Sequence, residues 1–195
     1  MDRDQDQQDA MELAEPILGI VHKILDEAVG FYFSTEYSDA ARAEHTTTAM
    51  KNCIYSHSQQ RMYEREIDVD GLHVLDIKGM KVLNFRDQIV FRLKNVNENG
   101  KHTNYPTQQQ MNYDDQLELE GLPSKATRLT AGYQLDASGT GLERIMIARP
   151  IGRSVFWTAQ VNLDEEAVSW IDITPLRFAG TESSDFDANR ARTNR

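Results

Sequence analysis

Val74-Leu75-Asp76-Ile77-Lys78-Gly79-Met80-Lys81-Val82-Leu83-Asn84-Phe85-Arg86-Asp87-Gln88-Ile89-Val90-Phe91-Arg92-Leu93-Lys94 changes side-chain character at short, regular intervals. Leu75 and Ile77 alternate with Val74, Asp76 and Lys78, and Gly79 breaks the run before Val82, Leu83 and Phe85. Beyond Arg86-Asp87, Ile89, Phe91 and Leu93 alternate with Val90, Arg92 and Lys94. Side chains two apart share one face of a strand, so this spacing predicts three short antiparallel strands joined by hairpins. The turn-forming run Asn95-Val96-Asn97-Glu98-Asn99-Gly100 closes the set.

On the N-terminal side the period changes. Leu13, Ile17, Ile20, Val21, Ile24, Ala28 and Phe31 recur at helical spacing, which predicts a helix from about 14 to 32 with Pro16 in its first turn. A second helix is expected from Ser38 or Asp39 to about Tyr63, with Ala41, His45, Ala49, Cys53, Ser56 and Gln60 along one stripe. Residues 1–12, rich in Asp and Gln, read as a solvated, disordered lead-in.

On the C-terminal side, residues 101–126 interrupt the strand pattern. Thr107 and Gln110 form a T-x-x-Q capping box behind Pro106, predicting a short helix over about 108–116. Strand spacing then returns at Leu129, Ala131, Tyr133 and Leu135, at Ile145 and Ile147, at Val155, Trp157, Ala159 and Val161, and last at Trp170, Ile171 and Ile173. After Pro175 no periodic apolar residues remain, and 176–195 reads as a disordered tail. The expected whole is one α+β domain over 13–175. Two N-terminal helices pack on one side of a mainly antiparallel, twisted sheet of about six to eight strands.

Composition narrows the function classes. The 195 residues carry 21 basic against 31 acidic side chains, a net charge of −10. Such a chain has no global field for coating a polyanion, so nucleic acid is not the favoured partner. One cysteine, Cys53, supports neither a disulfide framework nor a cysteine zinc knuckle. The first residues lack a cationic, then apolar, leader, and no stretch approaches a membrane span. A cytoplasmic protein with no membrane partner is expected.

No residue set is primed for bond-making. His22, His45, His57, His73 and His102 form no H-E-x-x-H pair, and Cys53 sits mid-helix without a neighbouring cation to lower its pKa. No metal site and no cofactor is expected. Asp70, Asp76 and Lys78 have the acid-x-Lys flavour of a Mg²⁺ nuclease, in which carboxylates hold the metal and a lysine steadies the attacking water. The bland reading of the same triplet is a solvated hairpin. Arg92 and Lys94, two apart on one strand, are expected on a charged outer sheet face able to hold an anion or an acidic partner.

The run Asn104-Tyr105-Pro106-Thr107-Gln108, then Gln116, Gly121-Leu122-Pro123 and Thr130-Ala131-Gly132-Tyr133, resembles a family of uncharacterised bacterial and phage-associated proteins. The match covers roughly residues 40–162. Members of that family are often encoded beside a helix-turn-helix regulator fused to an ImmA/IrrE-type zinc peptidase. The resemblance implies a place in a toxin–antitoxin-like, mobile-element or phage-immunity module, with that peptidase as partner, and it transfers no catalytic residue.

The expected function is therefore a non-enzymatic interaction or regulatory protein that docks on a protein partner. Its binding residues are expected to be Arg92, Lys94, Tyr105, Thr107, Gln116 and Tyr133, the tyrosines serving as anchors. Two alternatives stay open. One is a nuclease-type effector using Asp70, Asp76 and Lys78, or Arg92, Lys94 and His57 without metal. The other is a small-molecule-binding domain with a pocket lined by Trp157 and Tyr133.

Overall fold

The computed structural model of the protein describes residues 2–34, 36–102, 107–165 and 167–175. Helix α1 spans Arg3–Phe33, with Asp2 as its N-cap accepting from the Asp4 backbone N–H. The expected lead-in over 1–12 is thereby corrected: Gln7, Ala10 and Met11 are all buried. Polar side chains hold this first turn down. Asp6 Oδ2 accepts from Trp157 Nε1 at 2.7 Å and pairs with Arg149 at 2.9 Å, while Gln7 Nε2 donates to the Thr158 carbonyl at 3.1 Å. An acidic segment looked unburiable because its partners lie some 150 positions away in the chain.

The earlier start also places Pro16 inside the helix, not in its first turn. An interior proline costs about 3 kcal/mol through its missing N–H. The buried flank of Ala14, Ile17 and Leu18 offsets that cost by packing.

The expected second helix is two. Helix α2 spans Asp39–Glu44 and is capped by Ser38. Helix α3 spans Thr47–Arg65, and the Thr46 hydroxyl accepts from the Ala49 N–H. The threonine run disfavours a helix interior and favours a cap, so it restarts the helix here. Residues Ile54, Ser58 and Met62 form the buried side of α3.

Among the described residues seven strands form one sheet in sequential order: β1 Leu72–Ile77, β2 Met80–Phe85, β3 Ile89–Asn95, β4 Thr127–Leu135, β5 Leu142–Ile151, β6 Ser154–Asp164 and β7 Ala167–Asp172. Lys78 and Gly79 both take positive φ, 51° and 87°, and join β1 to β2 by a two-residue turn. Every pairing is antiparallel except β3 with β4, which run parallel with Arg92 opposite Thr130 and Lys94 opposite Gly132. The sheet is therefore mixed. A parallel pair needs a long crossover, and residues 96–126 supply it, including α4 over Gln108–Asp114.

Alternation divides the sheet into two unlike faces. Ile89, Phe91, Leu93, Leu129, Ala131, Tyr133, Ile147 and Trp157 join α1 and α3 in the main core. The crossover covers part of the opposite face, where Ile77, Met80, Val82, Val90, Tyr113, Leu122 and Ala126 make a second, smaller cluster. No helix among the described residues is long and apolar enough to cross a membrane.

Candidate functional site beneath the crossover

Tyr113, Gln116 and Arg128 are among the side chains that fasten the crossover to the sheet. Tyr113, fully buried, shares its hydroxyl hydrogen between the carbonyls of Val90 at 2.9 Å and Leu129 at 2.8 Å, bridging the parallel strands. Burial holds its phenol well above the ordinary tyrosine range. Gln116 Nε2 donates to the carbonyls of Arg128 and Pro150, and its Oε1 accepts from the Arg128 N–H. Arg128, 1% exposed, turns its guanidinium onto the carbonyls of Asn112 and Leu117. A cation at those carbonyls stabilises the end of α4.

A chain of buried polar groups runs beside this framework. Gln110 and Asp114 are four apart on α4 and so share one face of it. Gln110 Nε2 lies 3.1 Å from His102 Nδ1, and His102 Nε2 lies 3.4 Å from Asp114 Oδ2. The capping box is thus half formed. Thr107 Oγ1 accepts from the Gln110 N–H at 3.2 Å, but the Gln110 side chain turns to His102.

Among the described residues Asp114 Oδ1 has no hydrogen-bond partner, and the Arg92 guanidinium sits 3.9 Å from it. Arg92 is 6% exposed and stacks over the Tyr113 ring at 5.0 Å. Among the described residues its guanidinium makes no hydrogen bond. Lys94 follows two residues on, its Nζ 5.0 Å from the ring centroid of Tyr55 on α3. Burial pushes its pKa down to about 8; Arg92 adds to the shift and Asp114 opposes it. Buried polar groups are ordinarily paired, so this half-satisfied set marks a site.

The set borders a cleft of about 500 Å³ walled by His102, Gln110, Asp114, Thr130, Ala148 and Pro150, among others. Its size and its mix of apolar walls with a few polar groups suit ligand binding. Leu117, 52% exposed, and Ile151, 43% exposed, each adjoin one partner of the Gln116–Pro150 hydrogen bond beside the cleft.

The residues singled out from sequence fall in several places. Arg92 lies under the crossover at 6% exposure, and Lys94 is half-buried with its Nζ against Tyr55 of α3; the expectation of a solvated charged surface is corrected for Arg92, because a parallel pair must be bridged across it. Thr107 caps α4 and Gln116 clamps β4 to β5. Tyr105 lies outside the described residues. Tyr133 is 2% exposed on the helix-covered face and cannot serve as an exposed anchor. Trp157 is buried in the same core, with its indole N–H committed to Asp6.

Asp70 and Asp76 are exposed. Asp76 Oδ1 accepts from the Gly79 N–H, and Lys78 pairs with Glu120 at 3.2 Å. Among the described residues no three His, Cys, Asp or Glu side chains gather as a metal site. His57 sits on α3 beside Phe31 and Tyr37, across the sheet from Arg92. Sequence reasoning missed His102, Gln110, Asp114 and Arg128 as a group; the four-residue spacing of Gln110 and Asp114 was the available signal.

Comparison of the chain with protein-family models, with curated proteins and with solved structures finds no match.

Proposed function

We propose that this chain is a non-enzymatic binding protein of a regulatory module, and that it receives a protein partner at the cleft beneath the crossover. The observation that carries the reading is a cleft with buried polar groups in its wall and two exposed apolar side chains on the segments that adjoin it. The cleft is lined by buried Gln110 and Asp114 together with exposed Lys101 and Arg153. The exposed Leu117 and Ile151 follow Gln116 and Pro150 directly in the chain, an arrangement of apolar side chains near a partly desolvated hollow that suits protein docking. Both ring nitrogens of His102 face protein partners, which suits a group that shapes a site more than one that shuttles protons. The resemblance noted above nominates the partner: a helix-turn-helix protein fused to an ImmA/IrrE-type peptidase and encoded beside this chain.

Co-expression of the chain with the protein encoded next to it tests this. The two are expected to co-purify, and Leu117→Asp with Ile151→Asp is expected to separate them while the chain stays folded. Separate elution of the wild-type proteins, or co-purification untouched by the double substitution, would overturn the reading. The cleft volume favours one second reading, a small-molecule site. Its signature would be saturable thermal stabilisation by a metabolite, abolished by His102→Ala, with no partner protein retained.

A further inference from the structure

The two edges of the sheet are finished differently. On β1 the chain covers its own edge: the Val74 N–H donates to Glu66 Oε1 at 3.1 Å, and the Leu72 N–H to the Val69 carbonyl at 3.2 Å. On β7 it does not. The Ile173 N–H donates to the Thr158 carbonyl at 3.0 Å, which fixes the phase of the ladder with β6. Bonded pairs in an antiparallel ladder recur at every second residue. Ala167, Ser169 and Ile171 therefore turn their backbone groups to β6, while Val168, Trp170 and Asp172 turn theirs to the edge. Among the described residues nothing bonds to those outward groups.

Open edges invite further strands, and proteins usually guard them with lysine, proline or a bulge. Residues 167–172 contain neither lysine nor proline, and the β6–β7 register runs unbroken, unlike those of β4–β5 and β5–β6. The strand is apolar instead. Val168 and Trp170 are half-buried against the main core, and Ile171 on the other face is 52% exposed.

We propose that β7 pairs antiparallel with β7 of a second copy, Trp170 facing the partner's Trp170 on a two-fold axis, so that two sheets join into one. The strand fits itself. Its outward residues are spaced evenly about Trp170, so Val168 meets the partner's Asp172 and each pair exchanges N–H and C=O. The one carboxylate thus faces valine rather than its twin, and Arg3 at 3.6 Å and Gln7 at 3.3 Å already hold it. The two tryptophans form an aromatic cross-strand pair, and Ile171 comes over the partner's Ser169. A net charge of −10 on each copy opposes their approach, so salt favours the pairing. This edge is separate from the cleft and does not depend on the docking reading.

Sedimentation of the full chain, from low micromolar to hundreds of micromolar, provides the test. The mass is expected to rise from one copy towards two, more readily at higher salt. Ile171→Lys, at an exposed position, sets like charges on diagonal neighbours across the axis and is expected to weaken pairing about tenfold. Val168→Pro takes no hydrogen bond from β6, since that N–H points outward, and is expected to abolish pairing. A single copy at every concentration, or a dimer indifferent to both substitutions, would overturn the proposal. So would self-association that appears only after removal of residues 176–195, which would give the edge to the chain's own C-terminal segment. Capture of the neighbouring protein through this edge, by a chain that never self-associates, would overturn it equally.

Discussion

Gln116 Nε2 donates to the Pro150 carbonyl across 3.2 Å, and the same side chain both donates to and accepts from the Arg128 backbone. One glutamine therefore ties the crossover to β4 and β5 together. It does so from a left-handed backbone, φ 57°. Gln116→Gly keeps that conformation and loses the clamp, with an expected cost of about 2 kcal/mol. Gln116→Ala adds roughly 1 kcal/mol for the left-handed backbone. Urea unfolding of the two variants separates these contributions; equal stabilities would show that the backbone is not held where described.

Gly132 is a matter of space. A Cβ there would lie 2.4 Å from Val96 Cγ2, where the crossover leaves β3 and presses on β4. Gly132→Ala is expected to cost about 1–3 kcal/mol. Val96→Ala in the same chain should recover much of it. Additive losses in that double-mutant cycle would mean the two residues do not touch.

Asp6 serves two partners in the first turn of α1, the Trp157 indole and Arg149, and both charged side chains are only 11% exposed. Removing the carboxylate leaves a buried guanidinium unpaired, so Asp6→Ala should cost about 3 kcal/mol. Asp6→Asn, which keeps an acceptor for the indole, should cost less. A denaturation midpoint indifferent to Asp6→Ala would restore the picture of a solvated lead-in.

Lys94 makes stability depend on pH. Its folded pKa of about 8 lies below the ordinary lysine value of 10.5. Above about pH 8 the folded chain gives up a proton that the unfolded chain keeps, so stability rises with pH from there until the unfolded lysine titrates near pH 10. Tyr113 and Tyr133, raised by burial, act in the opposite direction only above about pH 10, where unfolded tyrosines ionise. Melting temperatures of wild type and Lys94→Met between about pH 7.5 and 9.5 isolate the effect, and the variant should lack the wild-type rise. Parallel curves would place Lys94 in solvent.

Much of the architecture could be read from local pattern. Alternation at 74–94 marked β1, β2 and β3, and helical spacing at Ile17, Val21, Ile24 and Ala28 marked the buried side of α1. Thr107 was legible as a cap because its hydroxyl acts within one turn of its own position. These features depend on residues a few places apart, and short-range geometry is written directly in the order of side chains.

Tertiary structure alone decided the rest. Sequence spacing cannot distinguish parallel from antiparallel pairing, since both put alternate residues on opposite faces; the crossover that the parallel β3–β4 pair requires buries Arg92, one half of an apparent surface stripe, against Tyr113. Asp2, Asp4 and Asp6 looked too polar to fold, yet the Asp6 side chain is only 11% exposed because Trp157 and Arg149 meet it from β6 and β5. His102 and Asp114 acquire their meaning only when α4 closes over the sheet. Each of these outcomes turns on groups distant in the chain whose unpaired burial would be costly, and which partner satisfies them is fixed by the packing of the whole.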